Sequence, residues 1–221
     1  EASTGSTLLS TDDPVLASDL ANKLNHYNAE RRDIEAAVLE QAIDQIEQRD
    51  ISNDYIVMAA GEGWHPGVVG IVASRLKEKY NRPAAVIGLD ENGVGKASAR
   101  SVSQVDLGNI IIAARQNEIL VAGGGHKMAA GFTVMQDRID ELRQFVNMRI
   151  EQTLRGQPLL PVLKADGVLS VSSLTLPFVK QLNKLEPFGA NNPEPRFILE
   201  NVKIARPSVV GEHHIRCYLQ D

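Results

Sequence analysis

Hydrophobic periodicity divides the chain into helices and strands before any residue type is considered. From Pro14 to about Arg49 nothing interrupts a helix. Leu20, Leu24, Tyr27, Ile34 and Val38 keep a four-three alternation there, and Arg31 occupies the one slot that breaks it. Thr11-Asp12-Asp13-Pro14 supplies the start, a capping side chain followed by proline in the first turn. At ~1.5 Å per residue this helix runs roughly 50 Å. That exceeds what a compact domain of this size needs, so it reads as a strut or as one strand of a coiled coil. Tyr55–Ala60 is an unbroken apolar run of strand length. Gly61–Gly67 is a glycine-rich loop, and Val68–Tyr80 an amphipathic helix burying Val69, Val72, Ala73 and Leu76. Arg75, Lys77 and Lys79 fall mostly on its wet side.

Pro83–Leu89 and Val94–Ser101 are strands joined by the hairpin-prone Asn92-Gly93. Asp106 caps a helix through Arg115. A glycine loop, a strand at Gly131–Val134 and a helix from Asp137 to about Leu154 follow. Strands alternating with helices imply one α/β domain. The pattern changes after Gly156-Gln157-Pro158, a linker. Val162–Ser170 reads as a strand, Thr175–Leu185 as a short helix, and Arg196–Leu199, Val202–Ala205 and Ile215–Leu219 as short strands, too few to close a barrel. Proline-rich Leu185–Pro195 is a rigid irregular loop. The organisation expected is a long connecting helix over 1–50, an α/β domain over 51–155 and an incomplete β-rich unit over 156–221.

Composition narrows the chemistry. The 221 residues are 43% hydrophobic and 23% charged, with net charge −5. This argues against coating nucleic acid by bulk electrostatics but leaves room for a local basic groove. A single cysteine, Cys217, excludes a disulfide framework and a thiolate zinc site, and fits a reducing, cytoplasmic setting. No apolar run approaches membrane-spanning length, and no signal peptide is expected. The opening Glu1-Ala2-Ser3-Thr4-Gly5 reads as the inside of a longer protein.

Three stretches can carry chemistry. Val121–Val134, VAGGGHKMAAGFTV, sets Gly123, Gly124 and Gly125 before His126 and Lys127. Bare amides there can cradle an oxyanion, with His126 and Lys127 as further donors; the other reading is a tight turn with His126 as a satisfied, partly buried histidine. Trp64 and His65 stand in a glycine loop before a helix. There a tryptophan can stack a base and helix amides favour anions, or Trp64 plugs the core and His65 caps the helix. Lys96, Ser98 and Arg100 share one strand face, with Ser101 following, and Ala97 and Ala99 face the other way. Two cations and a hydroxyl in line suit a phosphate; the alternative is the solvated face of an edge strand. No Asp-His-His run, HxD pair or HExxH motif occurs, and His213-His214, adjacent on a strand, point to opposite faces. The chain is therefore expected to hold a phosphate but not to cleave one.

GWHPGVVGIVASRL (Gly63–Leu76), GKASARS (Gly95–Ser101), VAGGGHKMAAGF (Val121–Phe132) and LEPFGANNPEPRF (Leu185–Phe197) stand here in one order. Together they resemble the RecJ family of single-stranded-DNA-specific 5′ to 3′ exonucleases, within the DHH phosphoesterase superfamily. The GGGH stretch points only to the superfamily, while the Trp-His loop and PFG…NPEP narrow it. The resemblance covers essentially the whole chain. It implies a connecting segment, a mixed-sheet DHH-associated domain and the start of an OB fold. It implies metal-dependent phosphodiester hydrolysis in DNA repair and recombination. The Mn²⁺ or Mg²⁺ ligands would lie in an N-terminal DHH domain, with no metal and no catalytic residue in this stretch. Single-stranded DNA is the implied ligand and single-stranded-DNA-binding protein a candidate partner, with no membrane partner. Ser98 and Arg100 would bind the 5′-phosphate, and Gly124, Gly125 and His126 would line the strand's path. The sequence departs from the family pattern at Ala99, often glycine, and at Asn191, usually glycine. The alternatives are a non-catalytic single-stranded-DNA-binding scaffold and a DHH phosphodiesterase of short oligonucleotides or cyclic dinucleotides.

Overall fold

The structure, a computed structural model, describes residues 2–211 and 214–220. The chain divides into two compact units, residues 1–160 and 161–221. In the first, helix α2 spans Pro14–Glu47. Asp13 caps it, its Oδ1 accepting from the N–H groups of Val15 at 2.9 Å and Leu16 at 3.3 Å. Pro14 sits in the first turn, where its missing N–H is no loss. A short helix α1, Ala2–Ser10, precedes it and has no counterpart in the hydrophobic pattern, because Leu8 and Leu9 are its only large apolar residues.

Five strands form one mixed sheet in the order β1-β2-β3-β5-β4. These are β1 (Val57–Glu62), β2 (Ala84–Leu89), β3 (Val94–Arg100), β4 (Ala122–His126) and β5 (Ala129–Met135). β1 and β2 run parallel, and every other pairing is antiparallel. The parallel pair needs a crossover, which helix α3 (Pro66–Tyr80) provides. Helix α4 (Leu107–Gln116) joins β3 to β4, and α5 (Ile139–Leu154) follows β5.

Alternation along the strands builds two cores. Met58, Ala85, Ile87, Ala99, Phe132 and Val134 face α4 and α5. Val57, Ala59, Ala84 and Val86 face α3 and the last turns of α2, where Val38, Ala42 and Ile46 are buried. The end of the long helix thus belongs to the core of this unit. Glu47 ties the two helices, accepting from the Tyr80 hydroxyl at 3.2 Å and forming an ion pair with Lys79 Nζ at 3.2 Å. Burial and the adjacent Glu47 carboxylate push the Tyr80 phenol up to about 12.

The β1 edge of the sheet is closed by a side chain. Gln45 of α2 accepts from the Ala60 N–H at 2.8 Å and donates to the Ala60 carbonyl at 3.0 Å. Its amide stands in for a further strand.

In the second unit, Val162–Asp166 is not strand, contrary to the expectation from its apolar residues; the strand is confined to β6, Gly167–Leu169. It pairs in parallel with β7, Phe197–Leu199. Helix α6, Leu176–Leu182, is capped by Thr175, and Phe178 meets Phe197 edge-on at 5.7 Å. β8 (Lys203–Val210) and β9 (His214–Gln220) form a bulged antiparallel hairpin. Of the adjacent histidines, His213 lies outside the described residues and His214 opens β9. Within the proline-rich loop Asn192 Nδ2 donates to the Leu185 and Pro187 carbonyls at 2.8 and 3.0 Å. Asn191 adopts φ +67°, a left-handed conformation that glycine accepts freely and asparagine tolerates. None of the described residues of this unit is buried.

Gln45→Leu should lower the stability of the first unit by about 1–3 kcal/mol, because both polar groups of Ala60 lose their partner. Urea unfolding should show this as a lower midpoint at unchanged slope.

Candidate nucleic-acid interface

β3 is the middle strand of the sheet, so the edge-strand alternative for Lys96, Ser98 and Arg100 does not hold. Ala97 and Ala99 turn into the core beneath α4 and α5. Lys96, Ser98 and Arg100 rise from the opposite face, beside α3. Helix α3 makes room for them at Gly70, where a Cβ would lie 3.1 Å from Arg100 Nη2 and 3.2 Å from Ser98 Oγ. Arg100 Nη1 donates to Ser98 Oγ and to the Ala99 carbonyl, both at 3.0 Å. Among the described residues, no carboxylate forms an ion pair with Lys96, Arg100, His126 or Lys127.

The GGGH stretch is a strand rather than a loop. Ala122–His126 is β4, the far edge of the sheet, and only Lys127 and Met128 turn before β5. None of Gly123, Gly124 and Gly125 has a positive φ, so where glycine is needed here, at Gly123 and Gly125, it is needed for space. A Cβ at Gly123 would sit 3.0 Å from Ile111 Cγ2 and from Phe132 Cβ. One at Gly125 would be 2.5 Å from the Ala129 carbonyl oxygen. Both glycines let β4 press onto the core side. At Gly124 a Cβ would meet nothing within 4 Å. That position opens onto the face carrying Lys96 and Arg100.

Strand register shows what shares the open face. Arg100, Ala129 and His126 lie on one rung, Ser98, Gly131 and Gly124 on the next, and Lys96, Thr133 and Ala122 on the third. Two inter-strand spacings of ~4.8 Å separate Arg100 from His126. A group lying over Ala129 therefore has a guanidinium on one side and an imidazole on the other. Helix α4 braces the edge strand from behind. The Leu107 N–H donates to the Lys127 carbonyl at 3.2 Å, and Arg115 Nη1 to the Gly123 carbonyl at 3.2 Å. Gly108 touches the strand backbone, since a Cβ there would lie 2.8 Å from the His126 carbonyl carbon.

Three of the sequence candidates have structural roles instead. Trp64 is 8% exposed, packs over Gly61 and donates its indole N–H to Gln41 Oε1 at 2.8 Å. Its ring is not presented for stacking. His65 is the N-cap of α3, its Nδ1 accepting from the Gly67 N–H at 3.0 Å. Ser101 is buried and donates to the Val105 carbonyl at 2.9 Å. For Trp64 and His65 these are the plainer alternatives of the sequence reading; the burial of Ser101 is not among its alternatives. Thr133 and Gly131 were missed; the only signal was their alternation with Phe132 and Val134, which needs the sheet register to become a shared face with Lys96.

The donors on this face are cations, hydroxyls and amides. They fit an oxyanion and do not fit Mn²⁺ or Mg²⁺. Among the described residues no three His, Cys, Asp or Glu side chains are grouped to hold a metal ion.

Comparison with known proteins gives a consistent result. The DHHA1 domain matches residues 52–152, and the RecJ OB domain matches residues 165–221. The single-stranded-DNA-specific exonuclease RecJ of Bacillus subtilis is 35% identical over 217 residues, covering 97% of this chain and 27% of the relative. RecJ of Thermus thermophilus is 34% identical over 202 residues, covering 90% of this chain and 28% of the relative. The crystal structure of RecJ from Thermus thermophilus in complex with Mn²⁺ has a TM-score of 0.78 at 28% identity, covering 99% of this chain and 32% of that one. A second structure of that protein carries Mg²⁺. The chain thus spans under a third of the length of these relatives.

Gly108→Ala should destabilise the first unit by about 1–3 kcal/mol, because backbone on both sides must move. Gly124→Ala should leave the unfolding midpoint unchanged or raise it. Denaturation of the two variants side by side checks that the strand is braced from behind and bare in front.

Proposed function

Since this chain is a homologue of RecJ carrying its DHHA1 and OB domains, we propose that it is the substrate-holding part of a single-stranded-DNA-specific 5′ to 3′ exonuclease acting in DNA repair and recombination. The observation that carries this reading is the shared rung of Arg100 and His126 beside Ser98, where among the described residues no carboxylate forms an ion pair with either side chain. Arg100 and Ser98 offer a fork of N–H donors and a hydroxyl to a terminal phosphate. His126 approaches the same position from the edge strand. Lys127, at the turn, adds charge.

Hydrolysis in this class needs a water activated by divalent metal, with the attacking and leaving oxygens both stabilised. The residues described here do not fit that metal, so they contribute positioning and charge complementarity. The metal ligands are assigned to the part of the full-length protein outside these residues. On the family resemblance, a single-stranded-DNA-binding protein is the expected protein partner, and the single cysteine fits a cytoplasmic setting. Among the described residues no helix is long and apolar enough to cross a membrane. The RecJ OB match over 165–221 weighs against an enzyme of short oligonucleotides or cyclic dinucleotides.

Arg100→Ala should weaken binding of a 5′-phosphorylated single strand about tenfold or more, the loss of a charge-assisted hydrogen bond of about 1.5–3 kcal/mol. Its 5′-hydroxyl twin should lose much less, and equal losses in fluorescence anisotropy would remove Arg100 from the end-binding role. The purified 221-residue chain should not degrade single-stranded DNA in Mn²⁺ or Mg²⁺. Metal-dependent release of nucleotides would show that the chemistry resides here after all.

A further inference from the structure

The side of the sheet opposite Lys96, Ser98 and Arg100 carries an arginine without a partner. Helices α4 and α5 cover that side, and a groove of about 390 Å³ runs between them. Asp106, Asn109, Ile110 and Ala113 line it from the α4 side, and Arg149, Gln152 and Thr153 from α5. Arg149 is half-buried, and its Nε is shielded from water with no hydrogen-bond partner. The other half-buried arginines among the described residues all have one. Arg31, Arg138 and Arg143 meet Glu35, Glu141 and Asp140. Arg82 donates to the Ile51 and Asp54 carbonyls, and Arg100 to Ser98 Oγ. The Arg149 guanidinium instead lies over the Phe145 ring, 5.2 Å from its centroid. Phe145 packs on the core, so its ring holds the cation in place while leaving the N–H donors unused. Asp106, the carboxylate in the lining, does not neutralise it. Its two oxygens accept from the Asn109 N–H at 3.1 Å and from Asn109 Nδ2 at 3.0 Å, and no ion pair joins it to Arg149.

We propose that this groove docks a peptide segment of a protein partner, with an aspartate or glutamate side chain on Arg149 and a neighbouring apolar side chain on Ile110 and Ala113. A guanidinium whose plane is already set loses little freedom on taking a carboxylate through two parallel N–H bonds. Donors shielded from water and left unmet are costly, and a bound carboxylate removes that cost. Gln152 and Asn109 Oδ1, on the two sides of the groove, make no hydrogen bond among the described residues and can pair with the peptide backbone. The volume, at the low end of the ~300–1,000 Å³ of ligand sites, suits a short anchor rather than a whole helix. A nucleic-acid strand fits poorly. It brings a phosphate with every nucleotide, whereas the lining offers a single cation and sets Asp106 against a polyanion. The sheet and its core lie between this groove and Arg100, so peptide and single strand have separate places.

The test is selection of a displayed library of random dodecapeptides on the 221-residue chain, with counter-selection on the Arg149→Gln chain. The most enriched peptide is then synthesised with a fluorophore and titrated by anisotropy. Changing its acidic residue to the matching amide is expected to weaken binding about tenfold or more, and so is Arg149→Gln. The two changes together should cost no more than either alone, since they remove one contact. Serine in place of the apolar neighbour should weaken binding severalfold. Should Arg149→Gln lower the urea midpoint, Arg149→Lys, which keeps the stem and the charge but not the fork, carries the same comparison. A thymidine hexanucleotide is expected to bind the Arg149→Gln chain as tightly as the unsubstituted one. If the hexanucleotide loses affinity alongside the peptide, the groove belongs to the nucleic acid and the proposal is overturned. It is equally overturned if no selected peptide depends on Arg149, or if the dependent peptides bind as well without their carboxylate.

Discussion

Coverage of the sheet is the constraint on which the site depends. A helix is about 10–12 Å across and strands lie ~4.8 Å apart, so one helix covers little more than two strands. Helix α3 must cross from β1 to β2 because those strands are parallel, and it packs over β2 and β3. Helix α2, drawn to the β1 edge by the amide of Gln45, adds nothing over the far strands. β5 and β4 are therefore left bare on this face, while on the other face α4 and α5 complete a dry core. The bare half is where residues without bulk and residues with charge can be set side by side.

Within that half the three glycines divide their work by parity. Gly123 and Gly125 face the core and admit Ile111, Phe132 and the neighbouring backbone. Gly124 faces outward and admits nothing that belongs to the protein. A triple glycine could have meant a flexible turn, yet here the backbone is extended and paired at every residue of β4. Its order comes from contacts behind it: Gly108 against the strand, Arg115 on the Gly123 carbonyl and the Leu107 N–H on Lys127.

Much of the fold was legible from periodicity. Asp13-Pro14 marked the start of α2, and the buried stripe Val69, Val72, Ala73 and Leu76 marked α3. The alternation of Lys96, Ser98 and Arg100 with Ala97 and Ala99 gave the correct division of faces. What could not be read was pairing. Whether β3 is central or at an edge depends on partners distant in the chain, and a glycine run carries no hydrophobic period to separate strand from loop. Trp64 was ambiguous because its hydrogen-bond acceptor, Gln41, lies far away in the chain, on helix α2. Val162–Asp166 failed as a strand although the Asp166 N–H reaches the Arg196 carbonyl at 2.7 Å, since apolar residues alone do not make a paired run. The motifs identified the family, but the rung shared by Arg100, Ala129 and His126 emerges only from the register.

The side-chain-free edge strand also has a thermodynamic consequence. A strand that buries little of its own contributes little to holding itself closed, so its local opening lies at the low end of the free-energy range within a domain. A ligand held on the open face beside this strand would favour only the closed arrangement, and by mass action it would stabilise that arrangement as its concentration rises. Affinity on the open face and order behind it at Gly108 are then coupled quantities. A change on the α4 side can alter ligand binding without touching a single residue that the ligand meets.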